Sequence, residues 1–371
     1  MPNEGSDLPS SSGAGSLDRP VAPETKQETL RPTSRRLSPA DRQRLVTVGL
    51  VAGLSVSVLT AIVSGAIPIS LTGLLGDSAE AELQKTVLFD IRGPRIVLAA
   101  FVGAALALAG AVLQGLFRNP LADPGLIGVS GGAAIGAICY IVLGAGLATP
   151  AWLAPFLMPL AAITGAGCAT GFLYLFAKRF GHFSVVTMLL VGIVINALST
   201  VGIGAFQYMS DERQLRALVF WTLGSFGRAT WTTVIPALIP IVAAAFLLLR
   251  QSRRLDQFQL GEAEAEFVGV NVERLKKTAI LGSAAVVGAG VALSGIISFV
   301  GLIVPHLIRL MGGASHRFVL PCAALLGATL MVVADTLART LAIPAEIPVG
   351  LVTSAIGAPF FLWLITRVRA R

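Results

Sequence analysis

The sequence predicts an all-α fold, a polytopic transmembrane bundle of about ten helices, and three observations carry that prediction. Of 371 residues, 54% are hydrophobic and only 13% charged, with a mean hydropathy of +0.79, which leaves too little polar surface for a water-soluble body. Uncharged runs at Leu45–Leu71, Ile96–Phe117, Phe183–Ser210, Ala229–Leu249 and Ile347–Thr366 each reach the roughly 20 residues that a helix needs to cross the hydrocarbon core. The basic residues fall between these runs rather than on one polar domain, so the net charge of +8 reports topology and not a nucleic-acid surface.

Residues 1–43 are rich in Ser, Pro, Gly and charge and nearly lack aromatic and β-branched residues, so a disordered cytoplasmic tail is expected there. Its acidic, polar start is unlike a signal peptide, and the apolar run from Leu45 reads as a retained span. Residues 44–371 make the membrane domain, with helices expected at 45–70, 95–117, 125–144, 152–177, 183–208, 229–250, 275–294, 298–311, 317–341 and 346–368. Two apolar runs are too long for one crossing: Pro124–Ala177 breaks near Thr149 and Pro150, and Thr278–Ile308 turns near Ser294 and Gly295. An even number of spans puts both termini on one side. Placing them in the cytoplasm leaves 19 of the 28 Lys and Arg at cytoplasmic span ends and 7 outside, as the positive-inside rule requires. Gly128, Gly132 and Gly136 repeat at four-residue spacing and predict a smooth helix face for close packing. Cys139, Cys168 and Cys322 lie inside apolar segments without metal-ligand spacing; packing roles and no metal site are expected.

Polar interruptions carry the functional signal. Between the sixth and seventh expected spans, Leu260, Ala263, Phe267 and Val270 fall on one face of a short helix over 260–270, with Glu262, Glu264 and Glu266 mainly elsewhere and near its positive end. Too short and polar to span, this segment is either a solvated loop or a lever that docks in a groove of a soluble partner. Arg92, Arg95 and Arg339 lie at outer helix ends, where positive residues are unfavoured. Asp335, four residues before Arg339, can pair with it on one helix face as an internal ion pair. The segment Arg213–Phe226 reads as a short outer helix with Leu215, Leu218 and Val219 on one side. Nearby Phe206, Tyr208, Met209 and Phe220 suit either an interfacial belt or the wall of an apolar passage between spans.

Several stretches together resemble the vitamin B12, ferric-siderophore and haem importer permeases of the binding-protein-dependent ABC class. They are the string RGPR at 92–95, Gln114, RNPLADPG at 118–125 with Asn119, Pro120, Asp123, Pro124 and Gly125, GLIGVSGG at 125–132, LGEAEAEFVG at 260–269, GLIVPH at 301–306, Asp335, Arg339, PVG at 348–350 and GAPF at 357–360. The resemblance covers residues 45–371. It implies the type II ABC importer permease fold, a bacterial inner-membrane location, a second copy of the chain, two copies of a separate ATPase subunit carrying ATP and Mg, and a periplasmic binding protein. By resemblance, Leu260, Gly261, Glu262, Ala263, Glu264, Ala265, Phe267 and Gly269 belong to the coupling helix seated in the ATPase. Arg92, Arg95 and Arg339 receive acidic residues of the binding protein, and the outer helix gates the pathway with the fifth span. The runs at 122–128, 220–226 and 344–348 look closest to haem-importer permeases, so transported haem is the expected cargo, with siderophores and cobalamin as alternatives.

Other classes fit less well. An ion-coupled carrier needs ionisable groups in mid-span, and Asp335 is nearly the only candidate. Gly128, Ser130 and Gly132 satisfy the GxSxG pattern of a serine hydrolase with His306 as a conceivable base, but glycine is abundant and no oxyanion partner is evident. None of the five lysines follows a glycine, so the sequence contains no P-loop. Any ATP chemistry comes from another subunit, and the chain itself is not read as an enzyme.

Overall fold

The computed structural model describes residues 38–67, 69, 78–144, 149–179 and 185–369. Most of the expected tail therefore lies outside the described residues. Helix α1 spans Pro39–Val63, so residues 39–43, read as tail, are already helical, and the helix stops short of the expected 70. Helix α2, Ala79–Thr86, is capped by the Ser78 side chain and runs through a π turn, Val87–Arg92, into α3, Gly93–Phe117. The helix thus starts before the expected residue 95. Pro94 has no N–H to continue the ladder, and the turn before it widens so that the Gly93 N–H reaches Leu88 O instead of breaking.

The remaining helices follow in order. They are α4 (Val129–Leu143), α5 (Ala154–Arg179), α6 (Val185–Met209), α7 (Glu212–Thr222), α8 (Trp231–Leu249), α9 (Ser252–Phe258), α10 (Glu262–Phe267), α11 (Val272–Ser294), α12 (Val300–Gly312), α13 (His316–Thr340) and α14 (Val349–Arg369). No strand occurs among the described residues. Among the described residues, seven helices are long and apolar enough to cross a membrane, and three shorter apolar helices, α4, α12 and α14, bring the number to the expected ten. Both expected breaks are present: residues 149–153 are non-helical before α5, and α11 ends at Ser294 with Gly295 at φ +73°.

Helix α3 is the axis of the bundle, buried along nearly its whole length and packed by α13, α11, α12 and α8. Because lipid offers no hydrophobic drive between spans, close backbone contact holds them together. Gly103 and Gly327 set α3 directly against α13, and a methyl on either would overlap the other's carbonyl oxygen; a methyl on Gly110 would overlap the carbonyl of Gly301 in α12. Of the predicted glycine series, Gly132 and Gly136 press α4 onto Gly165 and Ala161 of α5, whereas Gly128 serves a turn at φ +80°. Cys322 is buried and Cys139 half-buried, but Cys168 is exposed, so the packing role expected for all three does not hold for the last.

Candidate functional site

At the end of the bundle that carries most basic residues, the predicted coupling helix is two helices. The chain breaks at Gly261, whose φ of +148° no residue with a Cβ adopts without strain, leaving α9 before it and the six-residue α10 after it. Leu260 and Phe267 are exposed, Phe267 to 94%, and Val268 joins them, so three large apolar side chains stand in water. Ala263, Glu264, Glu266 and Gly269 are exposed as well. Ala265 and Val270 instead turn into the protein, which corrects Val270's place on the outward face: the break at Gly261 resets the helical phase. Glu262 is tied down by Lys276, 2.7 Å away.

Polar bonds that skip across the chain fasten α9 to the spans. Phe258 accepts a hydrogen bond on its carbonyl from Arg118 at 2.6 Å, and the Arg118 guanidinium lies 4.5 Å over the Phe258 ring, a cation–π contact. Gln259 donates to Gly115 O at 2.8 Å, near the end of α3. Asp256 accepts from the His316 N–H at 2.6 Å, from His316 Nδ1 at 2.8 Å and from the Ser315 hydroxyl at 3.0 Å. It thereby supplies from a distant helix the cap that α13 needs. One short segment thus grips both α3 and α13.

The motif residues at 114–125 build the floor of this site. Gln114 donates to the carbonyls of Gly301 and Leu302 and accepts from Arg309, joining α3 to α12 where Gly110 touches Gly301. Asn119 accepts from Leu121 N at 2.9 Å, and Asp123 from Gly125 N at 2.7 Å, two local turns that fix the loop. Burial pushes the Asp123 carboxyl above its ordinary range, with the Gly125 N–H pulling the other way. Asn196 of α6 donates to Gly125 O at 2.9 Å. Pro124 is buried, and its ring fills the space a side chain on Gly301 would need. Pro120 is exposed in the turn.

At the opposite end, the three arginines expected to meet a binding protein engage groups of their own chain. Arg92, Arg95 and Arg339 are only 4, 6 and 8% exposed, and each is engaged by its own chain. Arg95 holds both Asp335 oxygens, at 2.9 and 3.0 Å from Nε, and reaches Glu346 at 2.8 Å from Nη1. Arg92 donates to the carbonyls of Ile62, Val63 and Ile67 at 2.6, 3.2 and 2.6 Å, and Arg339 to that of Ala61, so the two together satisfy the open end of α1. Of the two readings open for these arginines, the internal contacts are the ones seen within this chain. The ion pair foreseen between Asp335 and Arg339 is looser, 3.7 Å, because Arg95 of α3 takes the carboxylate. Nothing in the sequence spacing links residues 95, 335 and 346, or 256 and 316; only the fold does.

The outer helix α7 starts with a capping box between Asp211 and Gln214. It buries Leu218 and Trp221 and leaves Leu215 and Val219 exposed, so of the apolar set expected on one side only Leu218 turns inward. Phe220, Arg213, Arg216 and Arg228 line a cavity of about 480 Å³ with Glu212 and Ala217. Of the predicted pathway residues only Phe220 lies there. Phe206 packs against the core, while Tyr208, 94% exposed, and Met209 project from the end of α6. Beyond α7 the chain is clamped to two other turns: Ser225 N donates to Ser294 O at 2.7 Å and Val349 N to Gly224 O at 2.9 Å. No Ser130–His306 dyad forms through Nε2 of His306, which is buried without a hydrogen-bond partner among the described residues.

Comparison with known proteins narrows the meaning of this arrangement. A family model described as the FecCD transport family matches residues 53–367. The chain is 48% identical over 286 residues to the hemin transport system permease protein HmuU of Yersinia pestis, covering 76% of this chain and 84% of that protein. It is 42% identical over 290 residues to the vitamin B12 import system permease protein BtuC of Vibrio vulnificus, covering 78% and 86%. A solved inward-facing structure assigned as a metal-chelate type ABC transporter superposes with a TM-score of 0.78 at 35% identity, over 87% of this chain and 99% of that one.

Proposed function

Since the chain belongs to the FecCD transport family, we propose that it is the membrane-spanning subunit of an ATP-driven importer, and that its cargo is haem. The observation that carries the cargo is the greater identity to the hemin permease, 48% against 42% for the vitamin B12 permease over nearly the same length. The outer cavity supports it, because haem is a flat apolar ring bearing two carboxylates. Phe220 offers an aromatic face, and Arg213, Arg216 and Arg228 offer guanidinium groups suited to carboxylate. Two copies of the chain, in a bacterial inner membrane with both termini in the cytoplasm, receive haem from a periplasmic binding protein and work with two copies of a separate ATPase that holds ATP and Mg.

Coupling follows from the cytoplasmic geometry. Leu260, Phe267 and Val268 form an exposed apolar knob that a groove on the ATPase would desolvate. When that groove moves, α10 and α9 move with it. Displacement then passes through Asp256 to the start of α13, and through Phe258 and Gln259 to the end of α3. Both helices extend to the Arg95–Asp335 lock on the outer side.

The test is uptake into proteoliposomes holding the complete importer, supplied with haem, cobalamin or a ferric siderophore in competition. Haem is expected to be taken up at least about tenfold faster, a difference of about 1.4 kcal/mol in transition-state terms. Faster uptake of cobalamin or the siderophore would overturn the assignment of cargo and leave the family intact.

A further inference from the structure

Helices α5, α8 and α11 enclose a groove of about 460 Å³ on the side of the bundle, lined by apolar residues that include Gly167, Gly171, Leu281 and Gly288, with Tyr174 towards one end. The glycines here differ from those at the helix crossings. A Cβ built on Gly167 or Gly171 would meet nothing within 4 Å, whereas one on Gly132 or Gly136 would strike backbone. Their effect is to hold space open rather than to bring helices together.

The rows that line the groove continue at helical spacing into charge. On α5 the series 163, 167, 170, 174 leads to Lys178; on α11 the series 288, 285, 281 leads to Lys277. These two lysines share one rim. Lys277 lies 2.7 Å from Glu273 and within hydrogen-bonding reach of the Tyr174 hydroxyl, and Lys178 acts on the same Glu273. At the rim, two lysines stand against one carboxylate, that of Glu273. In the orientation set by the charge bias, this rim faces the cytoplasm, where a phospholipid headgroup would meet it.

We propose that the groove is a binding site for one anionic phospholipid, with an acyl chain laid along Gly167 and Gly171 and the headgroup phosphate at Lys178 and Lys277 beside the Tyr174 hydroxyl. An acyl chain suits the apolar lining, and the excess of positive charge at the rim selects a negative headgroup over a zwitterionic one. The site is separate from the cargo cavity and from the coupling knob, and it depends on membrane insertion alone, not on the identity of the cargo.

Native mass spectrometry of the full-length protein, released from micelles containing equal phosphatidylglycerol and phosphatidylcholine, tests it. Wild type is expected to retain phosphatidylglycerol in preference by about tenfold or more. K178Q/K277Q should lose most of that preference, about fivefold per lysine, and still retain phosphatidylcholine; G167L/G171L should retain neither lipid. Equal retention by wild type, or an undiminished preference in K178Q/K277Q, would overturn the proposal. So would a change of oligomeric state in G167L/G171L with lipid retention unaltered, since a second copy of the chain would then be the occupant. If G167L/G171L does not fold, the lysine variant, altered only at the rim, decides the matter.

Discussion

Replacing Arg95 by Leu separates an internal lock from a docking residue. Arg95 contributes its guanidinium to Asp335, which is 1% exposed, and to the half-exposed Glu346. Removing it strands the Asp335 charge, with Arg339 at 3.7 Å as the remaining partner. Breaking a buried pair on one side costs about 3–5 kcal/mol, while Glu346 recovers most of its loss by hydration. The loss should therefore be dominated by Asp335, and the double variant R95L/D335L should regain the greater part of it, because a buried ion pair exchanged for apolar residues is often neutral. Thermal unfolding of the purified chain in detergent, followed by loss of the monodisperse peak, measures both. If R95L melted like wild type and only its binding-protein affinity fell, the lock would be refuted and the docking role restored.

Phe267→Ala should leave the melting temperature unchanged within about 0.5 kcal/mol, as surface substitutions do, yet lower cargo moved per ATP hydrolysed in the reconstituted importer. Asp256→Ala should cost about 1 kcal/mol for the lost cap of α13 and about 1–3 kcal/mol more for the bond withdrawn from buried His316, read as a lower melting temperature; Asp256→Asn, which keeps an acceptor, should recover part. Asp123→Ala removes the acceptor for Gly125 N–H and should destabilise by about 1 kcal/mol, whereas Asp123→Asn should match or exceed wild type at pH 7. Because burial raises the folded carboxyl pKa above 3.8, the folded state binds the proton more tightly, so wild type gains on the Asn variant as pH falls through that raised value; melting curves at pH 7 and pH 5 check the sign.

The spans were legible because hydrophobic runs and Gly/Pro breaks are local signals. Thr149 and Pro150 fall in the break before α5, and Ser294 with Gly295 at the end of α11. The π turn before Pro94 was not legible, since proline looks the same whether it starts a helix or is absorbed by a widened turn. The motif residues from Gln114 to Gly125 were recognised as a unit, and the unit is structural: its polar groups bond to α12, to α6 and to themselves. The internal partners of the arginines are not legible along the chain, for a physical reason. A cation at an outer helix end draws attention as unpaired, but its partners were backbone carbonyls at 61–67 and a glutamate at 346, which no pattern along the chain pairs with it. The same blindness hid Asp256, an unremarkable residue until the fold lays it against Ser315 and His316.

These long-range bonds imply an uneven stiffness along the bundle. Helices α3 and α13 are joined at one end by Arg95–Asp335, in the middle by Gly103 against Gly327, and at the other end through α9, which bonds to both. Helix α6 is tied more loosely: many of its side chains are exposed, Gly192 abuts Leu126 O, and among the described residues its side-chain bond across the chain is the one from Asn196 to Gly125 O. Opening free energies follow buried contacts and protected hydrogen bonds, so amide exchange of the protein in lipid nanodiscs should be slowest in α3 and α13 and faster in α6. A rearrangement that opens a path would then move α6 and the outer helix α7 against a rigid α3–α13 pair. Exchange in α6 as slow as in α3 would show instead that the bundle moves as one body, and the polar locks at its two ends would have no differential role.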